Sequence, residues 1–169
     1  MKYQSSNILR DFEFHDALFT FESFDNEVLT VAVRYLNIHK STEQNQYPTD
    51  MEIELARITF HEFCAKSFEP GRAWRHDENG EFHTDEPQVI HTGTMAKEKL
   101  LSELRSGTTV FEFGVLDNGN NYLDGCGEEP WFQAQFTFDS AIIEWSGFRK
   151  KACYEERSFK KAHCKMNLQ

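Results

Sequence analysis

The sequence predicts a mainly β fold of the α+β class, built from antiparallel strands with one helix. Apolar and β-branched residues alternate with polar ones along several runs, turn-forming residues separate these runs, and a single segment has the apolar spacing of a helix. Two arrangements fit these elements: a two-sheet sandwich, or a sheet packed against the one helix. The length of 169 residues suits a single domain over residues 1–169.

The first strands are expected to form a hairpin. Residues 17–24 alternate in character and carry three Phe, Asp25-Asn26 supplies a short turn, and residues 28–38 are β-branched and apolar enough for one long central strand. After a polar loop at 40–50, residues 51–60 predict a third strand. Its alternation slips near Arg57, which indicates a β-bulge at Ala56-Arg57.

The helix is predicted at about residues 94–106. Ala96, Leu100 and Leu104 share one face, and Gly107 can end the helix. Strands are expected again at 108–116, 131–138 and 141–145, and Asp139-Ser140 between the last two indicates a two-residue hairpin turn.

The charge is unevenly distributed along the chain. The 18 basic and 28 acidic residues give a formal net charge of −10. The basic C-terminal segment 148–169 has seven basic and two acidic residues (+5), which leaves 11 basic and 26 acidic residues (−15) in the first 147. Such a negative body repels phosphate backbones, so we expect no nucleic-acid partner. It favours a basic protein partner, a cation, or solubility alone.

The sequence contains neither a secretory signal nor a membrane-spanning segment, and these two absences predict the cellular compartment and the lack of membrane contact. The first residues contain no apolar stretch of roughly 7 to 15 residues, as a secretory signal would need, so a cytoplasmic location is expected. The four cysteines are dispersed, and reduced thiols are expected. No window approaches the roughly 18 consecutive apolar residues of a membrane-spanning helix, so we expect no membrane partner.

A long polar stretch at residues 66–87 is expected to contain a binding loop, because long loops in compact domains are often functional, and the loop at residues 72–91 is the candidate contact region. Asn79-Gly80 can turn a small hairpin within it. Two groups of His and acidic residues would then meet across the turn and could bind a cation; the alternative is a solvated loop. The predicted partner-binding residues are Trp74, His76, Phe82 and His83.

A second candidate site is the window 117–128, which has oxygen-bearing side chains at three positions of a calcium-loop pattern. The predicted ligands are Asp117, Asn121 and Glu128. The window departs from the pattern at Gly119, which offers no side-chain oxygen, and at Tyr122, where the sharp turn favours Gly. The alternative is a turn that binds nothing.

No strong catalytic motif is present. The sequence lacks G-x-S-x-G, P-loop and G-x-G-x-x-G patterns, so it predicts no catalytic residue and no cofactor. An enzyme or small-molecule carrier remains the alternative, with histidines and carboxylates acting as acid and base in a cleft. The histidines that would have to converge there are His15, His61, His76, His83 and His91.

Two segments resemble small uncharacterised bacterial domains. They are residues 12–17 (FEFHDA) and residues 143–155 (IEWSGFRKKACYE), about 20 of the 169 residues. Some of those domains look like immunity proteins of polymorphic-toxin systems. The resemblance implies a protein that binds a cognate toxin and is acidic where that toxin is basic, and it implies no catalytic residue.

The sequence therefore predicts a non-enzymatic, cytoplasmic bacterial binding domain whose acidic surface engages a basic partner protein. The residues around Trp74 and Phe82 are the expected contact region, because a few large side chains carry most of the energy of an interface. The alternatives are a small enzyme or carrier and a calcium-stabilised module.

Overall fold

The computed structural model describes residues 1–155, and the part of the basic segment after residue 155 lies outside the described residues. For these residues, the prediction of a mainly β fold with antiparallel strands and one long α-helix is confirmed. The strands form a ten-stranded sheet, a four-stranded sheet and a two-stranded hairpin.

The ten-stranded sheet holds most of the chain. In spatial order its strands are Tyr3–Ser6 (β1), Ser140–Trp145 (β15), Ala56–His61 (β7), Val28–Arg34 (β4), Leu18–Asp25 (β3), Thr108–Val115 (β12), Asn121–Cys126 (β13), Phe132–Thr137 (β14), Cys64–Pro70 (β8) and His91–Thr92 (β11). Every pairing in this sheet is antiparallel.

The remaining strands are short. The four-stranded sheet orders Phe148–Lys151 (β16), Met51–Ile53 (β6), Asn37–Ile38 (β5) and Phe12–Glu13 (β2), and the hairpin pairs Arg75–His76 (β9) with Phe82–His83 (β10). A 3₁₀ turn at Leu9–Asp11 precedes β2.

The small sheet continues the large one around a bend. Strands β15, β7, β4 and β3 are neighbours in the large sheet. Each is joined through a short bend to one strand of the small sheet, respectively β16, β6, β5 and β2, and these four lie in the same order. The bends lie at residues 14–17, 35–36, 54–55 and 146–147. Asp16 and Tyr35 have positive φ values of 67° and 61°, which turns the backbone sharply there.

This bend corrects two sequence-based predictions. Residues 28–38 are not one strand: β4 ends at Arg34 and β5 begins in the other sheet. The slip in residues 51–60 is not a bulge at Ala56-Arg57 but the passage from β6 to β7, with exposed Leu55 at the bend. A β-bulge and a passage from one sheet to another both shift the phase of an alternating apolar pattern. The sequence therefore reveals the shift but not which of the two causes it.

A third correction concerns the end of β14. β14 pairs with β13 and β8, whereas β15 pairs with β7 and β1, so Asp139-Ser140 joins two separate parts of the sheet rather than forming a hairpin. The amide of Asp139 donates to the carbonyl oxygen of His61, 2.9 Å away, and this bond fixes the corner.

The predicted helix is confirmed as Gly93–Ser106 (α1), which begins one residue earlier than expected. Its buried face packs against β8 and β3 and carries Ala96, Leu100, Leu101, Glu103 and Leu104. Gly107 ends the helix with a φ of 92°, a conformation that favours glycine. Buried Phe side chains from both ends of the large sheet fill the core.

Candidate binding surface

The segment between β8 and α1 contains a hairpin that projects from the protein. β9 pairs with β10, with Phe82 opposite His76 and His83 opposite Arg75. Asp77 shapes the turn, because its Oδ1 accepts hydrogen bonds from the amides of Asn79 and Glu81, each 2.8 Å away. We call residues 72–91 the acidic hairpin segment.

Two large aromatic side chains of the acidic hairpin segment face solvent. Trp74 is 52% exposed and Phe82 is 65% exposed. The ring of His76 lies 4.1 Å from that of Phe82, and the guanidinium of Arg72 lies 5.3 Å from that of Trp74. Each ring thus lies near one neighbouring side chain and remains largely exposed.

The segment is also negatively charged. Its five acidic residues exceed its two arginines, Arg72 and Arg75; the acidic residues are Asp77, Glu78, Glu81, Asp85 and Glu86. His83 Nε2 lies 3.0 Å from Asp77 Oδ2. The hydrogen bond with His83, together with those from the amides of the turn, holds the pKa of Asp77 below its usual range, so Asp77 stays ionised at neutral pH.

Hydrogen bonds attach the base of the segment to the large sheet. The amide of Gly71 donates to the carbonyl oxygen of Trp131 at 2.6 Å, and Gln88 Nε2 donates to Glu69 Oε1 at 2.8 Å. Gly71 is required there, because a Cβ atom would lie 2.7 Å from the Trp131 carbonyl oxygen. The exposed rings therefore project from a fixed base.

Three side chains of the acidic hairpin segment that could ligate a metal ion lie close together. Asp77, Glu81 and His83 place one ligand atom each within 4.8 Å of the others, and residues 1–155 contain no other such group of three. All three are exposed, and exposed acidic groups commonly cluster without an ion. The group contains one histidine, so within residues 1–155 no such group of three brings two histidines together.

The calcium-loop residues are not brought together. Asp117 and Asn121 lie at the tip of the β12–β13 hairpin, whereas Glu128 follows the far end of β13. The two ends of β13 are about 17 Å apart, so Glu128 lies far from Asp117 and Asn121. Glu128 instead accepts hydrogen bonds from Ser106 Oγ at 2.7 Å and Ser102 Oγ at 3.4 Å, which tie it to α1.

His15, His61 and His91 lie in separate surroundings. His15 Nδ1 is 2.6 Å from the Phe111 carbonyl oxygen, and this hydrogen bond raises the pKa of His15. His61 ends β7, and His91 in β11 lies beside Phe68.

A partly buried cluster around Asp50 is not predictable from the sequence. His39 Nδ1 lies 2.9 Å from Asp50 Oδ2, Tyr154 Oη donates to the same oxygen at 3.0 Å, and the amide of Lys40 donates to Oδ1 at 2.8 Å. The cluster joins the 39–50 loop to the C-terminal end of the described chain. Its members are far apart in sequence and belong to no motif, so no local signal marks them.

Comparisons with known proteins give no relative: no family model, no curated protein and no solved structure matches the chain. Within residues 1–155, no helix has the length and apolar character required to cross a bilayer.

Proposed function

We propose that this protein is a non-enzymatic, cytoplasmic bacterial binding domain that engages a basic partner protein through the acidic hairpin segment. The observation that carries the proposal is the exposure of Trp74 and Phe82 on a projecting hairpin with five acidic residues. An aromatic pair of this kind inside a charged rim is typical of the energetic centre of an interface.

The two features have different roles in binding. Trp74 and Phe82 would supply affinity, because burying large aromatic side chains removes much apolar surface from water. The carboxylates would speed the encounter with a basic surface and make it sensitive to salt, since exposed charges are screened within about 10 Å at 0.1 M ionic strength.

Two further points support a basic protein as the partner. The net charge of −10 repels nucleic acid and attracts cations. Residues 12–17 and 143–155 resemble domains that look like immunity proteins, which bind a basic toxin with an acidic surface. Both arguments lead to the same class of partner.

The proposal is tested by affinity capture from bacterial lysate with quantitative mass spectrometry. Three forms of the chain are compared: the natural sequence, the double variant Trp74→Ala/Phe82→Ala, and the control Tyr35→Ala, which removes an exposed aromatic ring on another part of the surface. The expected result is a basic protein captured by the natural chain and by the control, lost from the double variant, and released as salt is raised. Equal capture of that protein by all three forms would contradict the proposal.

A further inference from the structure

One edge of β12 is unpaired along half of its length. β12 pairs with β13 from Thr109 to Val115, with a β-bulge at Phe111, but on its other side β3 reaches only Thr108 and Thr109. Val110 then exchanges backbone hydrogen bonds with Asp16 and Ala17, at 2.9 Å each. The Phe111 carbonyl oxygen lies 2.6 Å from His15 Nδ1. Beyond this point the chain of β3 turns away toward β2, and within residues 1–155 no strand lies on this side of residues 112–115.

The pattern of the ladder shows which backbone groups are free. In an antiparallel pair, residues alternate between bonding to the partner strand and facing away from it. The amide of Leu116 donates to the carbonyl oxygen of Asn120, so Gly114, two residues earlier, also faces β13. The N–H and C=O groups of Phe113 and Val115 therefore face away from β13, toward the open edge.

An apolar groove runs along this open edge. It has a volume of about 600 Å³ at one end and about 200 Å³ at the other, and the two parts share lining residues. The segment 7–14 forms its opposite wall. The apolar side chains that line it are Ile8, Leu9, Phe12, Phe14, Phe113, Val115 and Phe138.

The groove carries two charged side chains. Arg10 lines both parts, and its guanidinium forms no hydrogen bond or ion pair with the described chain. Asp139 lines the wider part only. A free guanidinium on a protein with a net charge of −10 is available for a carboxylate from outside.

We propose that this groove binds an extended peptide segment of a partner, which adds a strand to the free edge of β12. Main-chain hydrogen bonds to Phe113 and Val115 would hold the peptide, and the groove would take apolar side chains at alternate positions. An acidic residue of the peptide pairs with Arg10, and a basic residue pairs with Asp139. This site is separate from the acidic hairpin segment and does not depend on the function proposed for it.

The walls of the groove favour a single strand over a second copy of this chain. Edge-to-edge pairing of two copies would bring the whole sheet of the second copy up to β12, whereas the 7–14 segment stands opposite β12 across the groove. A single extended segment would need only the groove itself, whose wider part lies away from the stacked rings of Phe14 and Phe113. Both charged groups also match a peptide that carries both signs of charge.

The proposal is tested with a fluorescein-labelled peptide, Lys-Thr-Val-Thr-Val-Thr-Val-Thr-Glu, by fluorescence anisotropy. The key variant is Val115→Pro, because proline removes an N–H that takes no part in the β12–β13 ladder and so leaves the fold intact. The matched control is Val115→Thr, which changes the same exposed side chain and keeps the N–H. Thermal melts establish that both variants fold.

We expect saturable binding to the natural chain and to Val115→Thr, and a loss of at least about tenfold in Val115→Pro. Arg10→Gln should weaken binding by a smaller factor. Equal affinity for the folded proline variant, or no saturable binding to the natural chain up to about 1 mM peptide, would overturn the proposal. A dimer detected by native mass spectrometry that Val115→Pro dissociates would also overturn it, in favour of a second copy as the occupant.

Discussion

The rings of Phe60 and Phe136 lie 6.2 Å apart, although Phe60 is on β7 and Phe136 is on β14. Five strand-to-strand steps separate these two strands in the sheet, and in a flat sheet this would place them about 24 Å apart. The large sheet therefore folds back on itself, and its two halves enclose the Phe-rich core. The arrangement is sandwich-like even though the strands form one hydrogen-bonded sheet.

The core between the two halves depends on Phe136, which contacts rings from both. Its neighbours are Phe60, Phe63, Phe113 and Phe138. We expect Phe136→Ala to lower the free energy of unfolding by about 3–5 kcal/mol, because it leaves a cavity where the halves meet. Phe111→Ala removes a partly exposed ring of β12 and should lower the free energy of unfolding much less. Equal losses in urea unfolding of the two variants would contradict this description of the core.

Gly125 permits close packing of β13 on β12. A Cβ atom there would lie 2.7 Å from the Thr109 carbonyl oxygen and 2.9 Å from Thr108 Cγ2. We expect Gly125→Ala to cost about 1–3 kcal/mol of stability, because the backbone of β12 must shift. Gly147→Ala is the control, because the nearest atom to its added Cβ would be Glu54 Oε2 at 3.9 Å. We expect this variant to change the free energy of unfolding by no more than about 0.5 kcal/mol. Thermal melts of both variants measure the difference.

The Asp50 cluster should contribute to stability in a pH-dependent way. Burial disfavours the charged form of Asp50, but hydrogen bonds from His39, the Lys40 amide and Tyr154 outweigh it and hold the pKa of Asp50 below its usual range. The stabilisation is thus fully present above the unfolded-state pKa of about 3.9 and is lost as pH falls through the folded-state value.

Asp50→Asn tests this relation. We expect the variant to be less stable than the natural chain at pH 7 by about 1–3 kcal/mol, since hydrogen bonds to a charged acceptor are lost. The difference should shrink below about pH 4, where the natural chain loses the same contribution. Asp85→Asn changes an exposed carboxylate and serves as the control. A difference between the natural chain and Asp50→Asn that stays constant from pH 7 to pH 3 in denaturant unfolding would contradict the assignment.

Calcium should have no effect on stability through residues 117–128. β13 separates Asp117 and Asn121 from Glu128, so the three side chains cannot share one ion. We therefore expect the same melting temperature in EDTA and in about 5 mM CaCl₂. A rise of several degrees that disappears in Glu128→Gln would show that these residues do bind the ion.

Local signals made part of the fold predictable. The β3–β4 hairpin and the helix were found because a turn, an apolar period and a terminal glycine all lie within the segments themselves. The bends between the sheets are not evident from the sequence, because residues 28–38 remain apolar through Leu36 and the slip between Ile53 and Ile58 looks like a β-bulge. The sequence predicts a hairpin at Asp139-Ser140 because a two-residue connection has the same composition whether or not the strands that it joins pair with each other.

In the candidate site too, the features with a local sequence signal were predictable and those that depend on the three-dimensional arrangement were not. The hairpin at Asn79-Gly80 was suggested by a local turn signal, and the structure has it. The Asp50 cluster was not predictable, because His39 and Tyr154 are 11 and 104 residues away from Asp50 in sequence. The free edge of β12 depends on where β3 turns away, and this is a property of the three-dimensional arrangement alone.

The most direct test of the proposed function is hydrogen–deuterium exchange of the chain with and without the basic protein that it captures. The proposal requires slower exchange in the acidic hairpin segment, residues 72–91, upon binding, and no such change when Trp74→Ala/Phe82→Ala is mixed with the same protein. Unchanged exchange in residues 72–91, with protection confined to another surface, would contradict the proposal.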